Sequence, residues 1–331
     1  MTRWIDSNSL MKQSNAIDSV QQAQLTLNRR LGNSRDTRHR MRTNKDTRNG
    51  PLITLLLFLM SASWCAIGLG EEKSTKTQTP QRIITLSPHL TEMVFDLGLG
   101  ASLVGVSQFS NVPSSAMSLP RVGDAFQLNV EAIVSLNPTL ILAWEGGVPR
   151  AIRTLRSMGI PVVLVGSEGL RTIGDSYRRL GTVLNKEDVA EVIASRFERQ
   201  LEELKQENPR SDQRVFMQIQ DVRLFTVNGD HFMGQALATC GVDNIFADAP
   251  LSVAPVSLEA VIGAQPNVIV IVSQANQDDP WTEMWDRHLP AARLVEFPAS
   301  DISQPVARIL GGVSALCNAL NRGESERAFY N

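Results

Sequence analysis

The sequence predicts two Rossmann-like α/β lobes joined by one long α-helix. Three observations predict it. Strand-like and helix-like segments alternate on both sides of the middle of the chain. Residues 185–208 are charged but carry an apolar stripe at helical spacing. A twelve-residue segment before that stretch matches one after it without a gap. Alternating strands and helices imply parallel sheets covered on both faces.

The linking stretch reads NKEDVAEVIASRFERQLEELKQEN. Val189, Val192, Ile193, Phe197, Leu201 and Leu204 recur at three- and four-residue steps, which places them on one helix face. Asn185 is expected to cap its start, with Glu187 and Asp188 favourable in the first turn, and Asn208-Pro209 to end it. A helix of about 22 residues spans roughly 33 Å, the width of a small domain.

A chain of 331 residues has room for two domains with full cores. Residues 1–50 hold ten Lys/Arg against four Asp/Glu, a net of +6; the whole chain is −2, so residues 51–331 carry −8. An acidic body argues against a nucleic-acid carrier. Between Arg48 and Glu71 there is no charge, and residues 52–60 (LITLLLFLM) are strongly apolar. A basic flank, a short apolar run and the small residues Ala62, Ser63, Ala66 and Gly68 describe a secretory signal. The alternatives are a retained anchor, although the run is shorter than the roughly 20 residues of a spanning helix, and lipidation at Cys65, which Trp64 fits poorly. A leader that starts at Met41 is complete without residues 1–40. Removing it leaves Cys240 and Cys317, an even count in an exported chain, so a disulfide is expected, with two buried thiols as the alternative.

The elements then follow in order. Residues 71–81 are a polar tether. IITL after Arg82 is a strand, and Ser87-Pro88 opens a helix that runs to Gly98. Strands follow at 103–107, 140–144 and 161–166, with helices near 130–136 and 150–158. Beyond the linking helix, strands are expected at 214–219, 267–273 and over LVEF, with helices at 232–240, 256–264, 281–289 and 306–320. The internal match pairs EAIVSLNPTLIL (131–142) with EAVIGAQPNVIV (259–270). Each is a helix that opens with Glu, stops at Pro and feeds an apolar strand, so the two lobes are expected to be related. The boundaries are 1–70 for the leader, 71–81 for the tether, 82–184 for the N-terminal lobe, 185–208 for the linking helix, 209–322 for the C-terminal lobe and 323–331 for the tail.

Several chemistries lack their motifs. There is no G-x-G-x-x-G turn, Walker loop or G-x-S-x-G elbow. His39, His89, His231 and His288 are scattered, without zinc spacing, and His89 and His231 read singly as surface residues. His89 and His231 fall at loop–helix junctions and would be the contacts of any metal or haem. No enzyme activity, resident cofactor or metal site is expected. Aromatics at strand ends carry more. Phe109, Phe126, Trp144 and Phe225 follow strands or lie in the loops beyond them, where open α/β sheets bind ligands. They suit a large, flat, partly apolar ligand.

RIITLSPHLTEMVFDLGLG, GVSQFSNVP, NVEAIVSLNPTLILAWEGG, CGVDNIFAD, VSLEAVI and ARILGGVSALCNAL together resemble the periplasmic cobalamin-binding proteins of ABC importers. The likeness spans about residues 82–320. It implies two lobes joined by a single long helix, with a cleft that captures a corrinoid and hands it to a permease dimer in the inner membrane. It also implies a periplasmic location after signal cleavage, and a monomer when free. Position by position it implies ligand contacts at Phe109, Trp144, Phe225 and Asp301, with Phe126 beside the place of an expected Trp. It pairs Cys240 with Cys317, assigns permease docking to Glu131 and Glu259, and matches Trp285 to a Trp on the penultimate helix. The chain departs from the pattern at Ala125 and Val253, where Trp is expected, and at Asp301-Ile302, after which a basic residue is missing. Three other readings compete. A haem or ferric siderophore cargo would need Tyr or His ligands, yet Tyr177 and Tyr330 lie away from the strand ends. A chelatase-type enzyme would need clustered Cys or His. A membrane-tethered sensor domain would keep its anchor.

Overall fold

A computed structural model of the protein describes residues 81–322, apart from 145–146, 148, 167–168, 220–222 and 274–280. The leader, most of the tether and the tail lie outside the described residues. The rest belongs to one compact unit, Ser74–Asn331.

The first sheet is built from β1 (Ile83–Thr85), β2 (Leu103–Val106), β3 (Leu140–Ala143) and β4 (Val162–Leu164), in the order β2-β1-β3-β4, all parallel. The second is built from β5 (Arg214–Gln218), β7 (Asp243–Asn244), β9 (Val268–Ser273) and β10 (Arg293–Pro298), in the order β10-β9-β5-β7, again parallel. Read from the other edge, the second order repeats the first. A small antiparallel pair, β6 (Phe225–Val227) with β8 (Val253–Pro255), is added to the second lobe.

Helices α1 (Pro88–Asp96), α2 (Val130–Ser135), α3 (Pro149–Ser157) and α4 (Ile173–Leu184) belong to the first lobe. The linking helix is α5 (Glu187–Glu207). The second lobe carries α6 (Phe232–Thr239), α7 (Leu258–Ala264), α8 (Thr282–His288), α9 (Ala299–Ile302) and α10 (Ile309–Asn321).

Period-two alternation in the strands divides the core. Ile83, Leu140, Leu142, Val215, Met217, Val268 and Val270 point into one cluster, which both lobes share with α4, α5 and α10. Their neighbours face outward: Ile84 and Ile141 into a separate cluster under α2 and α3, and Phe216, Ile269 and Ile271 into another around Trp285. The lobes are therefore fused along one apolar face, with α5 packed over it.

The internal repeat is realised atom by atom. Asn129 caps α2 by accepting from Ala132 N–H, and Ser257 caps α7 by accepting from Ala260 N–H. Asn137 and Gln265, the matched residues before Pro, both adopt positive φ, 46° and 49°. Arg82 donates its backbone N–H to Thr139 Oγ1 at 2.9 Å and its guanidinium to Leu136 O at 2.8 Å. Arg214 repeats this with Asn267 Oδ1 at 2.8 Å and Ala264 O at 2.7 Å.

Two expectations for the linking helix are corrected. Asn185 does not cap α5; it ends α4 in the left-handed conformation, and Lys186 takes the N-cap place without a side-chain bond. The buried ridge is Ala190, Ala194 and Phe197, while Val189 and Val192 are exposed. The cause is close packing. A Cβ added at Gly181 on α4 would strike Ala190 Cβ, so the helices approach where only small residues fit.

Polar contacts join the lobes at one end of this core. Arg308 Nε donates to Glu92 Oε1 at 2.5 Å, and its Nη1 donates to Ser300 O at 2.8 Å. Tyr177 on α4 donates to Asp96 and accepts from Ala307 N–H at 3.2 Å. Burial raises the pKa of Glu92, and Arg308 opposes that rise. Arg308→Ala should therefore cost about 2 kcal/mol, below the usual figure for a buried pair because the arginine is partly solvated. Without Arg308 the Glu92 pKa rises further, and a raised carboxyl pKa gives stability at low pH that is lost as pH rises. The loss should be larger at pH 8 than at pH 5 in urea unfolding. An equal loss at both would contradict the pairing.

Candidate ligand-binding site

In a sheet ordered β2-β1-β3-β4, the chain leaves β1 towards one side and returns through β3 on the other. A crevice then opens between the loops after β1 and β3. Here those loops carry His89, in the first turn of α1, and Trp144, the residue after β3. Their rings meet edge to face, with centroids 6.4 Å apart at 85°. Trp144 is 39% exposed, whereas His89 is only 8% exposed. The surface position expected for His89 is thus wrong: the returning strand β3 brings an indole against it. Burial lowers the His89 pKa to about 4, so the imidazole is neutral near pH 7. Its Nε2 lies 3.4 Å from Ser87 Oγ.

Beside this crevice a chain of buried hydroxyls fixes the loop after β2. Thr85 Oγ1 lies 2.7 Å from Thr91 Oγ1, which donates to Ser110 Oγ at 3.0 Å; Ser110 Oγ is 3.0 Å from Ser107 Oγ. Arg121 Nη1 donates to the carbonyls of Ser107 and Ser110 at 3.1 and 2.8 Å. Between those serines stands Phe109, 70% exposed and with φ at +66°. A positive φ is costly for a bulky residue, and here the surrounding bonds hold it. Gln108 N–H donates to Gly123 O at 2.6 Å and ties this loop to the next one. There Asp124 Oδ1 accepts from the N–H groups of Phe126 and Gln127, both at 2.8 Å, and these bonds lower its pKa. That turn presents Phe126 at 93% exposure. Phe109 and Phe126 are thus carried on two joined loops.

The second lobe contributes fewer aromatics. Phe225 opens β6, is half-buried and pairs with Pro255; its carbonyl accepts from Ile219 N–H at 3.1 Å. Val253 stands exposed on the partner strand β8. Asp301 is half-buried in α9, beyond β10, and accepts from Ser300 Oγ at 2.7 Å. Trp285 is wholly buried: it donates to Gln218 Oε1 at 2.9 Å and packs on Phe216 and Trp281, which makes it core. His231 caps α6, its Nδ1 accepting from Met233 N–H at 3.2 Å, and burial lowers its pKa to about 4. The lobes touch near here, where Arg171 N–H donates to Gln235 Oε1 at 3.3 Å.

Glu131 and Glu259 are exposed in the first turns of α2 and α7, at matched places in the repeat. Neither forms an ion pair with a described residue. Its own backbone N–H and the Ser257 hydroxyl lower the Glu259 pKa. Cys240, at the end of α6, and Cys317 of α10 are disulfide-bonded with Cα atoms 4.8 Å apart. Among the described residues, no group of three or more His, Cys, Asp or Glu could hold a metal ion. No described helix is long and apolar enough to cross a membrane. A groove of about 610 Å³ lies elsewhere, between α5 and the start of α10, lined by Phe197, Gln200, Leu204, Arg308 and Leu310 among others.

Sequence reasoning missed the His89–Trp144 contact, the hydroxyl chain and the Glu92–Arg308 pair. The alternation of Ser and Thr around β1 and β2 was the available signal for the second of these.

The chain resembles known proteins over most of its length. It is 31% identical over 242 residues to a vitamin B12-binding protein of Vibrio campbellii, a match covering 72% of this chain and 88% of that protein. A crystal structure of a periplasmic vitamin B12 binding protein, BtuF of Vibrio cholerae, superposes with a TM-score of 0.65 at 31% identity, covering 73% of this chain and 97% of that one. A periplasmic haem binding protein, HutB of Vibrio cholerae, shares the fold with a TM-score of 0.65 at 21% identity, covering 74% of this chain and 100% of that one. The family described as periplasmic binding protein matches residues 83–289. The chain belongs to the periplasmic binding protein family.

Proposed function

We propose that this protein captures a corrinoid, cobalamin or a near relative, between its two lobes and delivers it to an ABC permease dimer in the inner membrane. The observation that carries the reading is Trp144, half-exposed at the switch point of the first sheet in a chain related to vitamin B12-binding proteins. Phe109 and Phe126 offer further apolar surface on the tied loops, and Phe225 with Asp301 lines the opposite lobe. Flat rings of this kind bury apolar ligand faces at low entropic cost. The protein binds and does not catalyse, works as a monomer in the periplasm after loss of its leader, and holds no resident cofactor or metal.

A haem cargo is the competing reading, supported by the shared fold of haem-binding neighbours. Its axial ligand would be hard to find. His89 is covered by Trp144, Tyr177 is engaged by Asp96 and Ala307, and His231 is spent on a helix cap through Nδ1. Calorimetry with cyanocobalamin, cobinamide and haemin separates the cargoes. Tight one-to-one binding of the corrinoids and weak haemin binding is the expected result; the reverse order would replace this reading with the haem one.

Glu131 and Glu259 serve as docking contacts. The repeat gives each lobe one exposed carboxylate at the same corner, which suits a two-fold permease with one basic site per subunit. Arginine is the natural partner, because its planar fork takes both carboxylate oxygens. Glu131→Ala with Glu259→Ala should bind corrinoid normally yet associate with the permease about 10–100-fold more weakly, the scale of one or two interfacial charge pairs. Uptake assays alongside calorimetry check this. Full uptake by the double variant, or lost corrinoid affinity, would contradict the docking role.

A further inference from the structure

We propose that His89 is a positioning residue for the ligand: its imidazole, wedged at right angles against Trp144, holds the indole with one face turned to the crevice. The inference rests on the reading that Trp144 contacts the cargo, and adds a residue that does not itself touch it.

Four observations carry it. His89 and Trp144 are far apart in the chain but are brought to the two sides of the β1/β3 crevice. Their rings make an edge-to-face contact at 85°, a geometry that aromatic quadrupoles favour. His89 is buried, 8% exposed, while Trp144 against it is 39% exposed, so the histidine sits behind the indole relative to solvent. His89 is itself set from behind, by Ser87 Oγ and by its place in the first turn of α1. The burial that keeps the imidazole neutral also keeps a charge away from the apolar face of the site. Trp144 directly follows the last residue of β3, and its carbonyl accepts from Gly147 N–H at 3.1 Å, so its backbone is held while the ring projects from the strand end. Without the imidazole, the indole would be free to turn, and binding would have to order it again.

The test uses full-length protein with His89→Ala, His89→Phe, Trp144→Ala and the His89→Ala/Trp144→Ala double variant. Cyanocobalamin affinity is measured by calorimetry, and the indole by near-ultraviolet circular dichroism without ligand. His89→Ala is expected to weaken binding about tenfold, the scale of one aromatic pair. It should also diminish the dichroism signal that Trp144→Ala removes. His89→Phe should restore both, and the double variant should bind no more weakly than Trp144→Ala alone, as expected for residues acting through one contact. Wild-type affinity in His89→Ala, with weakened binding in Trp144→Ala, overturns the inference and leaves the corrinoid reading intact. A double variant that adds both losses overturns it too, because His89 then acts elsewhere. Failure of the wild-type protein to bind cyanocobalamin defeats the functional reading instead. In that case an unchanged dichroism signal in His89→Ala still overturns the positioning role, and a diminished one still supports it.

Discussion

Cys240→Ala with Cys317→Ala should lower the stability of the protein by roughly 4 kcal/mol. The bond closes a loop of 77 residues. In the chain-entropy model, loops of that order contribute about 4 kcal/mol, and native strain or residual unfolded structure reduces the figure. Both cysteines also belong to the core shared by the lobes, so the bond fixes the end of α6 to α10 within it. Equilibrium urea unfolding of the oxidised protein and the double variant measures the difference. A loss under about 1 kcal/mol would mean that packing of α6 against α10 already supplies the constraint.

Trp144→Ala should weaken corrinoid binding by about 1–3 kcal/mol, or roughly 5–150-fold, with the fold intact. The fold should survive because Trp144 is 39% exposed and lies after the strand, outside the buried clusters. Phe225→Ala, on the other lobe, should act in the same direction but less strongly. Calorimetry reads the affinity, and a thermal melt confirms that each variant is folded. Unchanged affinity in a folded Trp144→Ala protein would return the indole to a structural role.

Much of the fold was legible in the sequence because the inner strands are short apolar runs between polar loops. β3 and β9 are the plainest, since their preceding helices end at Pro in matched segments. Elements that depend on distant partners were not legible. Helix α4 contains Gly174 and Gly181, which weaken its helical signal, and Gly181 is there to admit Ala190 of α5. The apolar stripe of α5 pointed to Val189 and Val192, because valine scores as core and alanine does not. A close helix contact reverses that order. Strands β6 and β8 are three residues each and far apart in the chain, so neither has a local pattern.

The site divides in the same way. Trp144 and Phe109 stood out as aromatics at strand ends, a rule of open α/β sheets. The wall behind Trp144 did not, because a histidine in the first turn of a helix has no sequence mark of burial. The β1/β3 switch point creates that burial only after the sheet has formed. Likewise nothing local in the sequence marks Glu92 as buried, because its partner Arg308 lies near the other end of the chain.

The most direct test is a crystal structure of the protein with cyanocobalamin. The expected result is one corrin ring between the lobes, at the carboxyl edges of both sheets, with Trp144 on one side and Phe225 on the other. A corrin bound in the groove between α5 and α10, or no bound corrin in crystals grown at saturating ligand, would contradict the proposed site and with it the proposed function.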